Sequence, residues 1–380
     1  MLTLLPILLV PPRILIVGGG PDKEYNQVAI ESNVRYFARI LPKEWPYRLL
    51  FADGTTTAET VRYTPAGQTD PRKDKYRAPD LPQLDGPSRP DNVVKEVTTI
   101  ATSQPASVLL YFTGHGSIAR DLRPATSQFD MWGDSRIAVP TLAKSLIGIP
   151  KDVPITVLMV QCHSGGFAKL LFPDGDPTQP PLDNRLCGFY ASTEQRYAAG
   201  CTSEINEANY RDFTSYFVAA LTGEDRLGKK WTGQADYDHN GKIGMNEAYC
   251  WSLVNDESID TPICTSDEFV RDVLTTEDKE IFATKYSDVL KWATKAQRAA
   301  LEGLSTILKL DGEDRLATSY AKYLRLNDDE EDLTPIRGYR FIRLAKTVVL
   351  THQMAKFPDP VVKKRFETLL ADESQNPLRP

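Results

Sequence analysis

The sequence predicts an α/β fold of three layers around a mostly parallel central sheet, followed by an all-α C-terminal region. Three observations carry this. Five short apolar runs, Arg13–Val17, Tyr47–Ala52, Val108–Phe112, Val153–Val160 and Leu186–Ser192, are spaced along the first half of the chain. Helical patterns separate them, as parallel strands joined by crossover helices require. Beyond about Thr265 the period becomes helical throughout, with Glu and Lys on the outward positions.

Taken in order, Arg13–Val17 ends on Gly18, Gly19 and Gly20, and a helical pattern then runs from about Asn26 to Leu41. The glycines do not form GxGxxG, and Pro21-Asp22-Lys23-Glu24 separates them from the helix, so a dinucleotide site is set aside in favour of a rim loop. From Asp53 to Pro90 the composition is Thr, Pro, Asp, Lys and Gly without apolar periodicity, the mark of a long binding or processing loop. Asp91 or Asn92 opens a helix with Val93, Val97 and Ile100 on one face. A polar segment, Arg120 to Asp134, follows the third strand, and Pro140 opens a helix through Leu146. Gly166–Phe172 and Arg211–Leu221 read as further helices. Four or five more run from Thr265 to Leu369. The organisation is therefore an N-terminal segment (1–12), an α/β domain (13–264) and a helical C-terminal region (265–380).

With 380 residues, 41% of them apolar, the chain can bury a large core. A formal charge of -6 argues against nucleic acid or an anionic membrane surface as partner. Met1–Val10 is apolar but too short to span a bilayer, and reads as a secretory-signal remnant or an extra strand. Stable membrane insertion is not expected, and the compartment is left open. Five cysteines leave at least one unpaired, with Cys187, Cys201, Cys250 and Cys264 able to form two bridges.

The chemistry concentrates at two strand ends, Tyr111-Phe112-Thr113-Gly114-His115-Gly116-Ser117 and Gln161-Cys162-His163-Ser164-Gly165-Gly166. In a parallel α/β sheet the carboxyl ends of the strands form the ligand-binding edge. A thiol and an imidazole there are the parts of a cysteine acyl-transfer site. Cys162 Sγ is the candidate nucleophile, His115 the proton carrier, and the backbone N–H groups of Gly116 and Cys162 the oxyanion donors. The helix expected after Cys162 would lower the thiol pKa through its dipole. His163 is the rival base, but neighbouring residues on an extended chain point to opposite faces.

Asp236-Tyr237-Asp238-His239-Asn240-Gly241-Lys242-Ile243-Gly244-Met245-Asn246-Glu247 follows the twelve-residue EF-hand pattern. Asp236, Asp238, Asn240, the Lys242 carbonyl and a bidentate Glu247 would bind calcium, in a structural role. The entering segment, Leu227–Ala235, contains Gly228 and Gly233 and is a poor helix, so a half EF-hand is expected. No organic cofactor is called for.

The pair of motifs resembles the caspase-like (clan CD) cysteine peptidases and is most similar to the legumain branch. Legumains carry Tyr-Phe-Thr-Asp-His-Gly-Ser where this chain has Tyr111–Ser117, and Cys-Glu-Ser-Gly where it has Cys162-His163-Ser164-Gly165. Phe189-Tyr190-Ala191-Ser192-Thr193 resembles the pocket strand Tyr-Ala-Thr-Thr. The resemblance spans roughly residues 13 to 255 and implies a caspase-like fold and an endopeptidase acting on protein or peptide substrates through a thioester. It assigns Asn26, in Tyr25-Asn26, to orienting the catalytic histidine, and Ser192 to the substrate pocket. The Arg-His pair that follows in legumains is replaced by Val28-Ala29, so Asp22 and Glu194 become candidates for binding a basic side chain instead. Two other functions are compatible with these residues: a catalytically silent scaffold or calcium-dependent interaction module, and a transpeptidase using the same thioester.

Overall fold

The computed structural model describes residues 11–68, 70–121, 126–231, 235–327 and 330–379. The expectations for Met1–Val10 lie outside these residues. Strand β1 (Arg13–Gly19) leads through α1 (Val28–Ile40) to β2 (Tyr47–Phe51), and a small antiparallel hairpin follows, β3 (Val61–Tyr63) with β4 (Lys75–Arg77). Then come α2 (Pro90–Thr102), β5 (Val108–Ala119), the hairpin β6 (Thr126–Met131) and β7 (Ser135–Ala138), and α3 (Val139–Leu146). The half closes with β8 (Pro154–Met159), β9 (Arg185–Tyr190), α4 (Phe213–Thr222), α5 (Met245–Asn255) and β10 (Ile263–Cys264).

The central sheet has the order β10-β9-β8-β5-β1-β2. Every pair is parallel except β10 with β9. The strands read as unbroken apolar runs because both faces are covered: Ile14–Val17, Val108–Phe112 and Ile155–Met159 are all buried. Helices α1, α4 and α5 pack together on one side, and α2, α3 and the 3-10 segment Ser164–Leu171 on the other. These are the three layers and mostly parallel sheet expected from the sequence.

Two stretches expected to be irregular carry structure. The 53–90 segment holds the β3–β4 hairpin, pinned where Arg77 grips the buried Glu31 of α1 with both nitrogens, at 3.0 and 2.5 Å. The 120–134 segment holds most of the β6–β7 hairpin, and β5 runs on past the sheet to Ala119 to pair with it. Strands β3, β4 and β7, of three or four residues, are too short to show an alternation.

The C-terminal region consists of α6 (Thr265–Val273), α7 (Asp278–Phe282), α8 (Tyr286–Trp292), α9 (Lys295–Leu308), α10 (Arg315–Tyr323), α11 (Leu333–Met354) and α12 (Pro360–Glu373). That is seven helices among the described residues, not four or five. Periodicity merges short neighbours such as α8 and α9, which the Thr294–Gln297 capping box separates. These helices share one apolar core with the sheet, running from Ile14 to Leu378. Arg340 of α11 is fully buried and donates to the carbonyls of Leu253, Asp256, Ser258 and Asp260. Helix α12 lies on β9, with Arg365 Nε 3.0 Å from the Leu182 carbonyl and Glu373 capping Ser266. Among the described residues no helix is long and apolar enough to cross a membrane.

Candidate active site

Strands β5 and β8 are neighbours in register, Phe112 opposite Met159. Three residues further along each chain stand His115 and Cys162, both half-buried at the carboxyl edge of the sheet. Between them the backbones approach closely. A β-carbon on Gly116 would fall 2.1 Å from the Cys162 carbonyl oxygen and 2.6 Å from Gln161 Cγ, so only glycine fits there.

The thiol is held by the loop after β9. Cys162 Sγ accepts from the Ala198 N–H at 3.2 Å and faces the Ala198 carbonyl at 3.6 Å. Burial pushes its pKa up, and the Ala198 contact offsets this only in part. This reverses the expected lowering by a helix dipole. His163, next after the thiol, has left-handed backbone (φ 59°), and a 3-10 helix follows whose first amides turn back locally, Ser164 N to Gln161 O and Gly166 N to His163 O. Cys201, three residues beyond Ala198, places its sulfur 3.4 Å from the Gly114 carbonyl. All five cysteines are free thiols, so neither of the two bridges forms.

The imidazole is fixed from the other side. His115 Nε2 lies 2.9 Å from Gln27 Oε1, the Tyr25 carbonyl is within hydrogen-bonding reach, and the exposed Tyr25 ring stands edge-on at 5.6 Å. Burial lowers the pKa of His115, while Asp130, its cross-strand partner on β6, pulls it back up. Asp130 in turn accepts from Ser117 Oγ at 2.7 Å and Arg136 Nε at 3.1 Å. At neutral pH the site thus rests as a neutral thiol and a neutral imidazole.

Several assigned residues have other work. Asn26, given the orienting role by resemblance, is fully buried and uses its side chain on Gly20 N (3.3 Å) and the Thr60 carbonyl (3.0 Å), so Gln27 is the side chain on the histidine. Chain direction explains the exchange: Asn26 turns into the core and its successor faces the strand end. Asp22 is exposed and turns its loop by accepting from Glu24 N and Tyr25 N. Glu194 is neutralised by Lys169 at 2.7 Å. Ser192 is buried, taking up Ser164 Oγ through its N–H and donating to the Arg196 carbonyl. His163 points its Nδ1 to the Glu194 carbonyl at 2.8 Å and its ring to Tyr197, away from His115.

Sequence reasoning missed Gln27, Asp130 and Ala198. Gln27 was one residue from the motif. Ala198 acts through its backbone, for which residue type gives no signal. Well-formed concavities lie elsewhere, one of them lined by Tyr210, Tyr216, Arg226 and Trp231. None of these concavities is lined by a cysteine, and the edge around Cys162 is flanked instead by the exposed rings of Tyr25 and Tyr197.

In the acidic loop, carboxylate oxygens of Asp236, Asp238 and Glu247 lie within 4.8 Å of one another. Asp236 accepts from Asn240 N and Gly241 N. Buried Glu247 accepts from Tyr237 N, Asp238 N and Gly244 N, and Asn240 Oδ1 from Lys242 N. The convergence of three carboxylates fits a hard cation. The loop is tied to the chain's end, Met245 N to the Gln375 carbonyl at 3.1 Å and Asn376 Nδ2 to the Ile243 carbonyl at 2.9 Å.

No protein-family model matches the chain, and no curated protein matches it. Among solved structures it is similar to a Geobacter sulfurreducens protein solved by structural genomics, at 12% identity and a TM-score of 0.38, over 67% of this chain and 92% of that one. It is also similar to a secreted C11 cysteine protease of Bacteroides thetaiotaomicron in complex with an irreversible peptide inhibitor, at 13% identity and a TM-score of 0.31, over 78% of this chain and 82% of that one. At such TM-scores neither likeness decides a function.

Proposed function

We propose that the chain is a cysteine endopeptidase of the caspase-like group. The observation that supports this is the placing of Cys162 and His115 at equal offsets on adjacent parallel strands, both reachable from solvent, with each held by dedicated partners. In the reaction the Cys162 S–H proton passes to His115 as Sγ bonds to the scissile carbonyl carbon. The carbonyl oxygen takes the negative charge beside the N–H groups of Gly116 and Cys162. The C–N bond then breaks, His115 returns the proton to the leaving amine, and a thioester remains. Water, giving a proton to His115, attacks the thioester, and the thiol leaves with that proton. A neutral resting pair means that the charge separates only on a bound substrate. The Asn-binding pocket of the legumain branch has no counterpart at Val28 and Ala29, both of which are buried in the core.

Calcium is proposed as a structural partner. Asp236, Asp238, Asn240, the Lys242 carbonyl and Glu247 would hold it, and it would neutralise the loop's charge where the loop meets residues 375 and 376.

Labelling with a panel of peptidyl acyloxymethyl ketones, read by intact mass, tests the thiol. Wild type is expected to gain one adduct and Cys162→Ala none. An adduct retained on Cys162→Ala would overturn the assignment.

A further inference from the structure

Resting on the peptidase reading, we infer that Asp260 is a positioning residue of the site: it holds the loop 198–201, which spans from the thiol to the strand end of His115. The Ala198 N–H donates to Cys162 Sγ at 3.2 Å, and Cys201 Sγ stands 3.4 Å from the carbonyl of Gly114, the residue before His115. Between them the Ala199 N–H donates to Asp260 Oδ1 at 2.6 Å. Gly200 takes φ 109°, where a side chain would strain the backbone. Among the described residues none of the four makes a backbone–backbone hydrogen bond. The loop is therefore placed by what meets it from outside, and the carboxylate is its shortest tie.

Asp260 is fully buried in the connection between α5 and β10. Its Oδ2 accepts from Phe213 N, the first amide of α4, at 2.7 Å, where the helix dipole favours negative charge. Its N–H donates to Ser258 Oγ at 3.1 Å, and its carbonyl accepts from Arg340 Nε at 2.8 Å and Nη2 at 2.6 Å. Two more buried carboxylates act on it. Asp212 is paired with Arg226 at 3.2 Å and Asp256 with Arg340 at 3.7 Å, while both oxygens of Asp260 are given to amides. Burying a carboxyl group is costly unless its acceptors are met, so both amides are firmly held. Arg340 of α11 thus reaches the nucleophile through Asp260 and Ala199.

The sign of the effect on the thiol separates hold from charge. Burial does most to raise the Cys162 pKa, the Ala198 N–H lowers it, and negative charge on Asp260 and on Asp130 raises it. Losing the hold should therefore raise the thiol pKa further, whereas losing the charge alone should lower it. His115, Cys201 and Asp130, the other titratable groups about the thiol, are the same in every chain compared.

The test follows alkylation of Cys162 by iodoacetamide against pH, located by peptide mass mapping, with a thermal melt of each chain. The chains are full-length wild type, Asp260→Ala, Asp260→Asn and Ala199→Pro, the last of which removes the loop's N–H and leaves the carboxylate in place. In Asp260→Ala and Ala199→Pro the midpoint of alkylation is expected to rise by about one pH unit, the scale of one hydrogen bond to a charged group, and the rate at neutral pH to fall about tenfold. Asp260→Asn keeps one acceptor and should lie between these and wild type. Profiles that stay unchanged while the melting temperature falls would leave Asp260 a merely structural role and overturn the inference. A midpoint that falls in Asp260→Ala would overturn it too, since charge and not hold would then be its contribution. If Asp260→Ala does not fold, Asp260→Asn and Ala199→Pro decide by the same profiles. A wild-type thiol that alkylates but takes no peptidyl ketone would remove the peptidase reading, while the profiles still decide the Asp260 tie.

Discussion

Gln27 Oε1 stands 2.9 Å from Nε2 of His115, while the side chain of the preceding Asn26 turns inward to Gly20 and Thr60. The two neighbours therefore divide orientation and stability between them. Gln27→Ala is expected to keep its melting temperature within a degree or two, lower kcat/KM and shift the acid limb of the pH profile, because the imidazole loses the group that fixes it. Asn26→Ala should instead lose about 2 kcal/mol of stability, leaving a buried N–H and carbonyl unmet. Thermal melts and pH profiles of both variants separate the roles, and the reverse pattern would return the orienting role to Asn26.

Glu373 makes stability depend on pH. Buried beneath α6, it has its pKa pushed from 4.5 up to about 7, mainly by desolvation, although Ser266 donates to it from both N and Oγ. Its folded pKa is raised, so the stability it contributes is complete below pH 4.5 and is lost as pH rises through about 7. At ~1.4 kcal/mol per pH unit that loss is about 3 kcal/mol. Buried Asp260, whose pKa is also raised, acts in the same direction. The stability difference between Glu373→Gln and wild type is expected to move by about this amount in the variant's favour between pH 4.5 and 8. Urea unfolding across that range measures it, and a constant difference would refute it.

Arg340 joins the C-terminal helices to the sheet. Its guanidinium meets four carbonyls and lies 3.7 Å from Asp256, with both side chains fully buried. Arg340→Ala should cost about 3–5 kcal/mol, as for a broken buried pair. A chain stopped at residue 264 should be insoluble, since α11 and α12 cover apolar surface of the same core. A soluble, cooperatively melting 11–264 fragment would show that the two regions fold separately.

The acidic loop gives a prediction independent of activity. Calcium is expected to raise the melting temperature of wild type, by mass action on the folded state. Asp236→Asn should weaken the response, and Glu247→Gln should abolish it while also loosening the three backbone amides that Glu247 caps. Calorimetric titration showing no heat with wild type would remove the metal.

The sequence by itself determined the sheet strands β1, β2, β5, β8 and β9, the layers around them, and the two strand ends that carry His115 and Cys162. Those features are local, since an apolar run ending in glycine reports its own burial. Tertiary structure alone decided which neighbours serve the pair. Gln27 rather than Asn26 reaches the histidine because Asn26 is buried with its side chain taken up by Gly20 and Thr60. The thiol is met by a backbone 36 residues away and is raised rather than lowered in pKa, because burial depends on what covers a group. Contacts at such separations leave no periodic trace in the chain, and so the two strand ends were readable where the partners of their side chains were not.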